Sequence, residues 1–339
     1  MRIVHVCCTD GFAGVERHVS DLAVAQAALG DEVRVIGGDE TRMRASLEAG
    51  RVAWGRGATV GEAVRQLRGT SRPDVVNVHM SAAELAVAVS PWLRGVPVVA
   101  TRHFAAHRGA RRVSRAVVRF AARRVSTQIA VSRFVADHVD GPSTVIHTGV
   151  PDQPDTVLAA ARRRNVLVAQ RLEPEKNTAL AVEAFGRSGL AAEGWVLELA
   201  GDGSQLAELQ QLAHRLGIGD AVHFLGHRRD VGDLLLEAGA FLASRGDEAY
   251  GLSVLEAMAA GVPVVAAAGG GHLETAGGVD GAALFPVGDA TRAGELLRQL
   301  ADDEALRDRY GVALQRSQRE CFGLDRQARL TDELYRTVL

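Results

Sequence analysis

Lysine is almost missing from this chain. Of its 39 basic residues only Lys176 is lysine, and the rest are arginine. A sequence that elsewhere uses the planar guanidinium and once uses a compact, mobile ammonium marks that one position for inspection. Cysteine is nearly as scarce. Cys7, Cys8 and Cys321 show neither metal-ligand spacing nor an even disulfide framework, so buried free thiols in a reducing cytoplasm are the expectation. Net charge is also small, at −2, which excludes a whole-protein field that would gather nucleic acid. Long hydrophobic runs are absent too. The longest stretch free of formal charge, 257–273, is interrupted by Pro263 and four glycines, which disqualifies it as a membrane-spanning helix. The apolar start, 1–8, is too short for a signal peptide, and a cytoplasmic protein is expected. No solenoid repeat, low-complexity tract or Asp-x-Asp cluster occurs.

What is present is a regular alternation over 339 residues, enough for two domains. Apolar strand-like runs at 3–8, 33–36, 75–78, 96–100, 128–131 and 144–146 are separated by helical or looped stretches. A polar segment, Pro151-Asp152-Gln153-Pro154-Asp155, interrupts the pattern. It restarts at 166–169 and continues through 196–200, 222–225, 240–243 and 263–267. Near-continuous apolar strands between amphipathic helices predict parallel sheets covered on both faces. The expected organisation is α/β: two doubly wound Rossmann-like domains, 1–150 and 165–322, facing a central cleft. A linker over 151–164 joins them, and a helical end over 323–339 crosses back to the first domain.

In such sheets ligands gather at the carboxyl ends of the strands. After the strand at 166–169 come Arg171 and, five residues on, Lys176, beside the start of a helix. Two cations at a helix N-terminus suit a diphosphate; a solvated pair with Glu173 and Glu175 is the equal alternative. After the strand at 240–243 comes Glu248-Ala249-Tyr250-Gly251-Leu252-Ser253-Val254-Leu255-Glu256. Gly251, Leu252 and Ser253 fall at a helix start whose free amides can hold phosphate or sugar oxygens. Glu256 lies in an apolar stretch where an unpaired carboxylate is costly. Ligand hydroxyls would satisfy it, as would an arginine. The glycine-rich turn Gly269-Gly270-Gly271 allows close backbone approach to a ligand. His5, His214, His223 and His227 read as structural or surface groups, and Asp10 as a turn residue or an acceptor contact.

Taken in order, Arg171…Lys176, Ala200-Gly201-Asp202-Gly203, Phe224-Leu225-Gly226, Glu248…Glu256, Gly261-Val262-Pro263-Val264-Val265 and Gly270-Gly271-His272-Leu273-Glu274 resemble the retaining GT-B glycosyltransferases called family 4. The N-terminal Gly11-Phe12-Ala13-Gly14-Val15-Glu16-Arg17-His18 resembles the same family's glycine loop with its Glu-Arg-His, although Ala13 stands where the family often has a second glycine. Tyr250 and Thr148 are further departures; the family more often has Phe and Asn there.

The resemblance implies roles. Arg171 and Lys176 stabilise the departing diphosphate, Glu248 contacts the donor sugar, Glu256 holds the ribose, and His103 lies near the transferred sugar. Gly14, Gly226, Tyr250, Gly251, Leu252 and Ser253 line the donor. It also implies metal-independent transfer of a hexose, with configuration retained, from a nucleotide diphosphate sugar (a UDP-sugar, then GDP-mannose) to a hydroxyl acceptor. That acceptor could be a lipid-linked or cell-surface glycan precursor or a secondary metabolite. No metal or other cofactor is expected.

A nicotinamide-dependent oxidoreductase is the rival class, but the first strand–helix turn lacks Gly-x-Gly-x-x-Gly. An inactive sugar-nucleotide binder is the third reading, opposed by the intact Arg171, Lys176, Glu248 and Glu256. Finally, Arg108, Arg112, Arg115, Arg119 and Arg123 recur on one helical face with Val113, Val117 and Phe120 as an apolar stripe. Such a helix can lie on an anionic membrane. A solvated face covering the sheet is weighed above it, for want of exposed aromatic anchors.

Overall fold

A computed structural model of the chain describes residues 1–106 and 115–339. They divide into two units, Met1–Pro151 with Phe322–Leu339, and Asp152–Cys321. The first unit holds strands β1 (Arg2–Cys7), β2 (Glu32–Ile36), β3 (Ala53–Gly55), β4 (Val75–His79), β5 (Val98–Arg102), β6 (Thr127–Ala130) and β7 (Thr144–Val145). They lie in the order β3-β2-β1-β4-β5-β6-β7, with every pairing parallel. The second unit holds β8 (Asn165–Ala169), β9 (Val196–Ala200), β10 (Val222–Gly226), β11 (Ala240–Ala243), β12 (Val264–Ala267) and β13 (Ala283–Phe285). Their order is β10-β9-β8-β11-β12-β13, again with parallel strand pairing. Each sheet is the doubly wound, Rossmann-like type expected. Each reverses its winding beside its own first strand, between β1 and β4 and between β8 and β11, and ligands bind at such switch points.

The periodicity of two explains the burial. On one face of the first sheet Val4, Val6, Val76 and Val78 meet Ala63, Leu67, Ala83 and Val87 from the helices Val60–Arg68 and Ser81–Ala88. On the other, Ile3, Val33, Val35, Val75 and Val99 meet Val19, Ala23, Met43 and Leu47 from the helices Gly14–Ala28 and Glu40–Leu47. Thr59 and Asp39 cap the helices that follow them, accepting from the amides of Glu62 and Arg42, so the turns stop where the sequence offers an N-cap oxygen.

The final stretch forms two helices, Glu304–Cys321 and Leu324–Arg336, broken at Phe322-Gly323. There the Val150 amide donates to the Phe322 carbonyl at 3.0 Å. A Cβ on Gly149 would lie 2.7 Å from the Gly323 carbonyl, so only glycine lets these two backbones meet. The last helix returns to the first unit, where fully buried Tyr335 joins the core. Its hydroxyl accepts from the Asn77 amide at 2.7 Å, which accounts for a polar residue inside the apolar strand β4. Within the second unit, Arg162 donates to the carbonyls of Leu235, Leu236, Ala238, Ala260 and Gly261. One guanidinium thus caps the ends of the helices Val231–Glu237 and Leu252–Ala259. All three cysteines are free, but burial, expected for all, holds for Cys7 only; Cys8 is half-buried and Cys321 exposed.

Candidate functional site

In the second unit the segments leaving β8 and β11 flank the switch point. The first carries Gln170, Arg171 and Lys176, the second Ser244, Arg245 and Glu248. Lys176 Nζ donates to Glu248 Oε2 at 2.6 Å, with both side chains about four-fifths buried. Burial pushes the Glu248 carboxyl upward, but the Lys176 ammonium and its hydrogen bond, with Arg245 adding, outweigh it and hold the group below its usual range. Glu248 is therefore ionised at neutral pH. Arg171 is largely exposed and pairs with Glu175 at 2.7 Å. The two expected phosphate-binding cations thus bond different carboxylates here.

The backbone at Lys176 is pinned by residues the sequence reading did not single out. The Gln170 amide reaches the Lys176 carbonyl at 3.1 Å, Thr178 Oγ1 at 2.9 Å and Ser244 Oγ at 3.2 Å, and Ser244 Oγ donates to the same carbonyl at 3.0 Å. Asn177 then takes φ 51° and opens the helix Thr178–Ser188. Gln170 and Ser244 each directly follow a strand or its last residue, so their position was the readable signal.

Beyond Glu248, Tyr250 is buried, and Gly251, at φ 90°, turns the chain into the helix Leu252–Ala259. Leu252, Ser253 and Glu256 lie half-buried on that helix, whose first amides have no carbonyl in the preceding turn to bond. Gly226 ends β10 at φ 65°, where its freedom to turn matters. In the glycine-rich turn the close approach seen is to the chain itself. A Cβ on Gly269 would lie 2.0 Å from the Gly246 carbonyl oxygen, and one on Gly271 would lie 2.4 Å from Tyr250 Cα. What these glycines admit is the protein's own 246–250 backbone. His272, quoted in the motif but given no role there, sits buried in this turn with Nδ1 3.1 Å from the Ala267 carbonyl.

In the first unit Gly14 is exposed at the start of the helix Gly14–Ala28, and Asp10 is exposed just after β1. His103, half-buried after β5, joins a group of histidines in which His5, His18 and His79 are buried. His79 Nδ1 lies 2.9 Å from His103 Nε2, and His5 Nδ1 lies 3.2 Å from His79 Nε2. His5 Nε2 lies 2.8 Å from Gln26 Oε1. His18 Nδ1 is 3.0 Å from Thr148 Oγ1, and its ring meets that of His103 edge-on at 4.7 Å. Burial pushes His5 and His103 down to about 4, and His18 and His79 well below their ordinary value, neighbouring histidines adding to the effect on the last two. His214, His223 and His227 are exposed. Ring nitrogens of His18, His79 and His103 fall within 4.8 Å of one another, a set that could ligate a transition metal. A tetrahedral zinc holds its nitrogens ~3.4 Å apart. It would have to displace the His79–His103 hydrogen bond.

Four histidines kept neutral make acid destabilising. Below about pH 6.5 the unfolded chain takes up protons that His5 and His103 refuse until about pH 4, and His18 and His79 likewise hold off protonation well below their ordinary value, so stability falls as pH falls. Asp21, raised to about 6, and Asp332, raised to about 7, both by burial, act in the opposite sense, but they are two groups against four. The urea midpoint of the first unit is expected to drop between pH 7.5 and pH 5. A midpoint that rises over that interval contradicts the neutral-histidine description.

Of the basic stretch, Arg108, Arg111, Arg112 and Val113 lie outside the described residues. The described helix runs Arg115–Ala122, with Arg119 and, beyond it, Arg123 exposed, while Arg124 donates to the Leu93 carbonyl at 3.0 Å. Phe120 of the apolar stripe is 50% exposed, and Phe104, just after β5, is 57% exposed, so exposed aromatic residues are present in the first unit.

Comparison with known proteins covers the whole of this architecture. The family described as glycosyl transferases group 1 matches residues 152–316, and that described as glycosyltransferase family 4 matches residues 12–153. A glycogen synthase of Mycobacterium tuberculosis is 31% identical over 78% of this chain and 69% of its own length. A D-inositol 3-phosphate glycosyltransferase of Streptomyces avermitilis is 35% identical over 59% of this chain and 47% of its own. The chain spans less than half the length of several curated relatives it matches. In fold it is similar to Anabaena HepE, solved with UDP-glucose, at a TM-score of 0.78 and 21% identity over 99% of this chain and all of that one.

Proposed function

The chain belongs to the group 1 glycosyltransferases of GT-B fold, and from that premise we propose that it transfers a hexose from a nucleotide diphosphate sugar to a hydroxyl acceptor with retention of configuration. The observation that carries this is the Lys176–Glu248 pair at the switch point of the second sheet. In the free protein the two charges neutralise each other. In the bound state the ammonium turns to the diphosphate and the carboxylate to sugar hydroxyls, with Arg171 swinging from Glu175 to the phosphates. Glu256, on the helix that Gly251 opens, takes the ribose hydroxyls, and the amides of Gly251, Leu252 and Ser253 take phosphate or sugar oxygens.

The chemistry follows from where charge develops. The bond from the anomeric carbon to the phosphate oxygen breaks, and its electron pair leaves on the diphosphate. The acceptor oxygen bonds to the anomeric carbon from the same face and gives its proton to that phosphate oxygen. Fixed cations beside the departing group stabilise the negative charge as it forms. A UDP-sugar is the proposed donor, with GDP-mannose next; HepE's UDP-glucose complex supports the choice. The proposed acceptor is a lipid-linked or cell-surface glycan precursor. Exposed Phe120 beside Arg119 and Arg123 suits contact with an anionic membrane surface. A nicotinamide enzyme is disfavoured by the missing glycine fingerprint after β1.

The test is NMR of the product made from an α-linked donor, run with and without excess EDTA. An α-linked product, formed at a rate EDTA changes less than twofold, is expected. A β-linked product overturns retention, and a loss restored by Mg²⁺ or Mn²⁺ overturns metal independence.

A further inference from the structure

Buried His5 and His79 and half-buried His103 form a directed chain. Gln26 Nε2 lies 2.7 Å from Asp332 Oδ1. Asp332, raised to about 7 by burial, is ionised at pH 8 and there only accepts, so the amide nitrogen faces Asp332 and the amide oxygen faces His5; the flipped amide would set oxygen against oxygen. Gln26 and Asp332 are both buried, so this orientation has no solvent alternative.

Gln26 Oε1 in turn can only accept. His5 Nε2, 2.8 Å away, must therefore carry its proton. A neutral imidazole has one N–H, so His5 Nδ1 is a lone pair. His79 Nε2, 3.2 Å from it, must donate. His79 Nδ1 is then a lone pair, and His103 Nε2, 2.9 Å from it, must donate as well. The remaining nitrogen of His103, Nδ1, is left as a lone pair. The rings' depressed proton affinities, set by burial, keep all three neutral as this chain requires.

We infer that Gln26, His5 and His79 are positioning residues that fix His103 in the Nε2–H tautomer, so that its Nδ1 serves as a hydrogen-bond acceptor for a hydroxyl of the reacting sugar or its acceptor. A free imidazole interconverts between tautomers and would offer that hydroxyl a donor part of the time. The chain removes this alternative before substrate arrives, which is preorganisation by neighbours that touch no substrate. The inference rests on the sugar-transfer reading for the identity of the hydroxyl, but the tautomer is a property of the free protein.

Long-range ¹H–¹⁵N correlation of the histidine-labelled, full-length protein at pH 8 reads the tautomers directly. Each ring is assigned by its own replacement. His5, His79 and His103 are expected as neutral Nε2–H rings. His79→Leu removes the acceptor for His103, and mixed tautomers at His103 with a fall in kcat/KM of about tenfold are expected. His79→Asn puts an oxygen near the lost Nδ1. It should restore both the single tautomer and kcat/KM to within about twofold to threefold of wild type. An Nδ1–H or charged His103 in the wild type overturns the inference even if the variants do not fold. So does a His79→Leu protein with an unchanged His103 tautomer. Failure of nucleotide binding would instead strike the transfer reading and leave the tautomers intact.

Discussion

Replacing Lys176 with alanine is expected to lower kcat by about 10²–10³-fold while leaving the protein folded. Loss of one preorganised stabiliser of developing charge costs ~2.7–4 kcal/mol in comparable sites, and nothing near Lys176 duplicates its ammonium. Arg245 lies 4.0 Å from Glu248 but pairs at 2.8 Å with Asp247. The fold should survive, because the variant leaves Glu248 partly exposed and still facing Arg245. It also keeps the Gln170 and Ser244 hydrogen bonds, which are made to the backbone carbonyl at 176. Arg171→Ala should show a loss of similar order with still less effect on stability, since its contact to Glu175 is solvent-exposed. Turnover within threefold of wild type in either variant would remove that residue from the leaving-group site.

The second large effect is on stability. Arg102, at the end of β5 and directly before His103, donates to Glu84 at 2.5 Å and to Gln128 Oε1 at 2.7 Å. Glu84 is 2% exposed. Arg102→Met leaves its carboxylate buried without that guanidinium, and breaking such a pair from one side costs ~3–5 kcal/mol. Arg102→Met paired with Glu84→Gln is expected to recover much of the loss, because the second change removes the buried charge that the guanidinium had offset. Chemical denaturation of the wild type, the single variant and the double variant gives both numbers. A single variant within 1 kcal/mol of wild type, a bound well below the estimate, would show that the pair does not hold this strand end.

How much was legible in the sequence differs between the two units. The solitary lysine and the Glu248-to-Glu256 spacing led to the switch-point pair because both lie in short segments directly after strands. The histidine chain was not legible, since His5, His79 and Gln26 are far apart in sequence and meet only through the β1–β4 pairing and the helix Gly14–Ala28. His103 was found by resemblance and without its supports. Asp332, which sets the direction of the chain, comes from the last helix, and nothing in the spacing of that helix tells which of its polar residues meets Gln26. The short edge strands β3 and β13 escaped the sequence reading. The glycines at 269–271 were read correctly as sites of close approach, but a sequence does not say what approaches. Phe120 fits an apolar stripe by spacing, and only its exposure shows that the stripe is not wholly covered.

The most direct test is calorimetric titration of wild type and Lys176→Ala with matched pairs, UDP against uridine and GDP against guanosine. The wild type is expected to bind one diphosphate at least about tenfold more tightly than its nucleoside, as a charge-assisted contact implies, and Lys176→Ala to lose most of that increment while binding the nucleoside unchanged. Equal affinity for diphosphate and nucleoside in the wild type, or an increment untouched by the substitution, would contradict a diphosphate held at the Lys176–Glu248 pair.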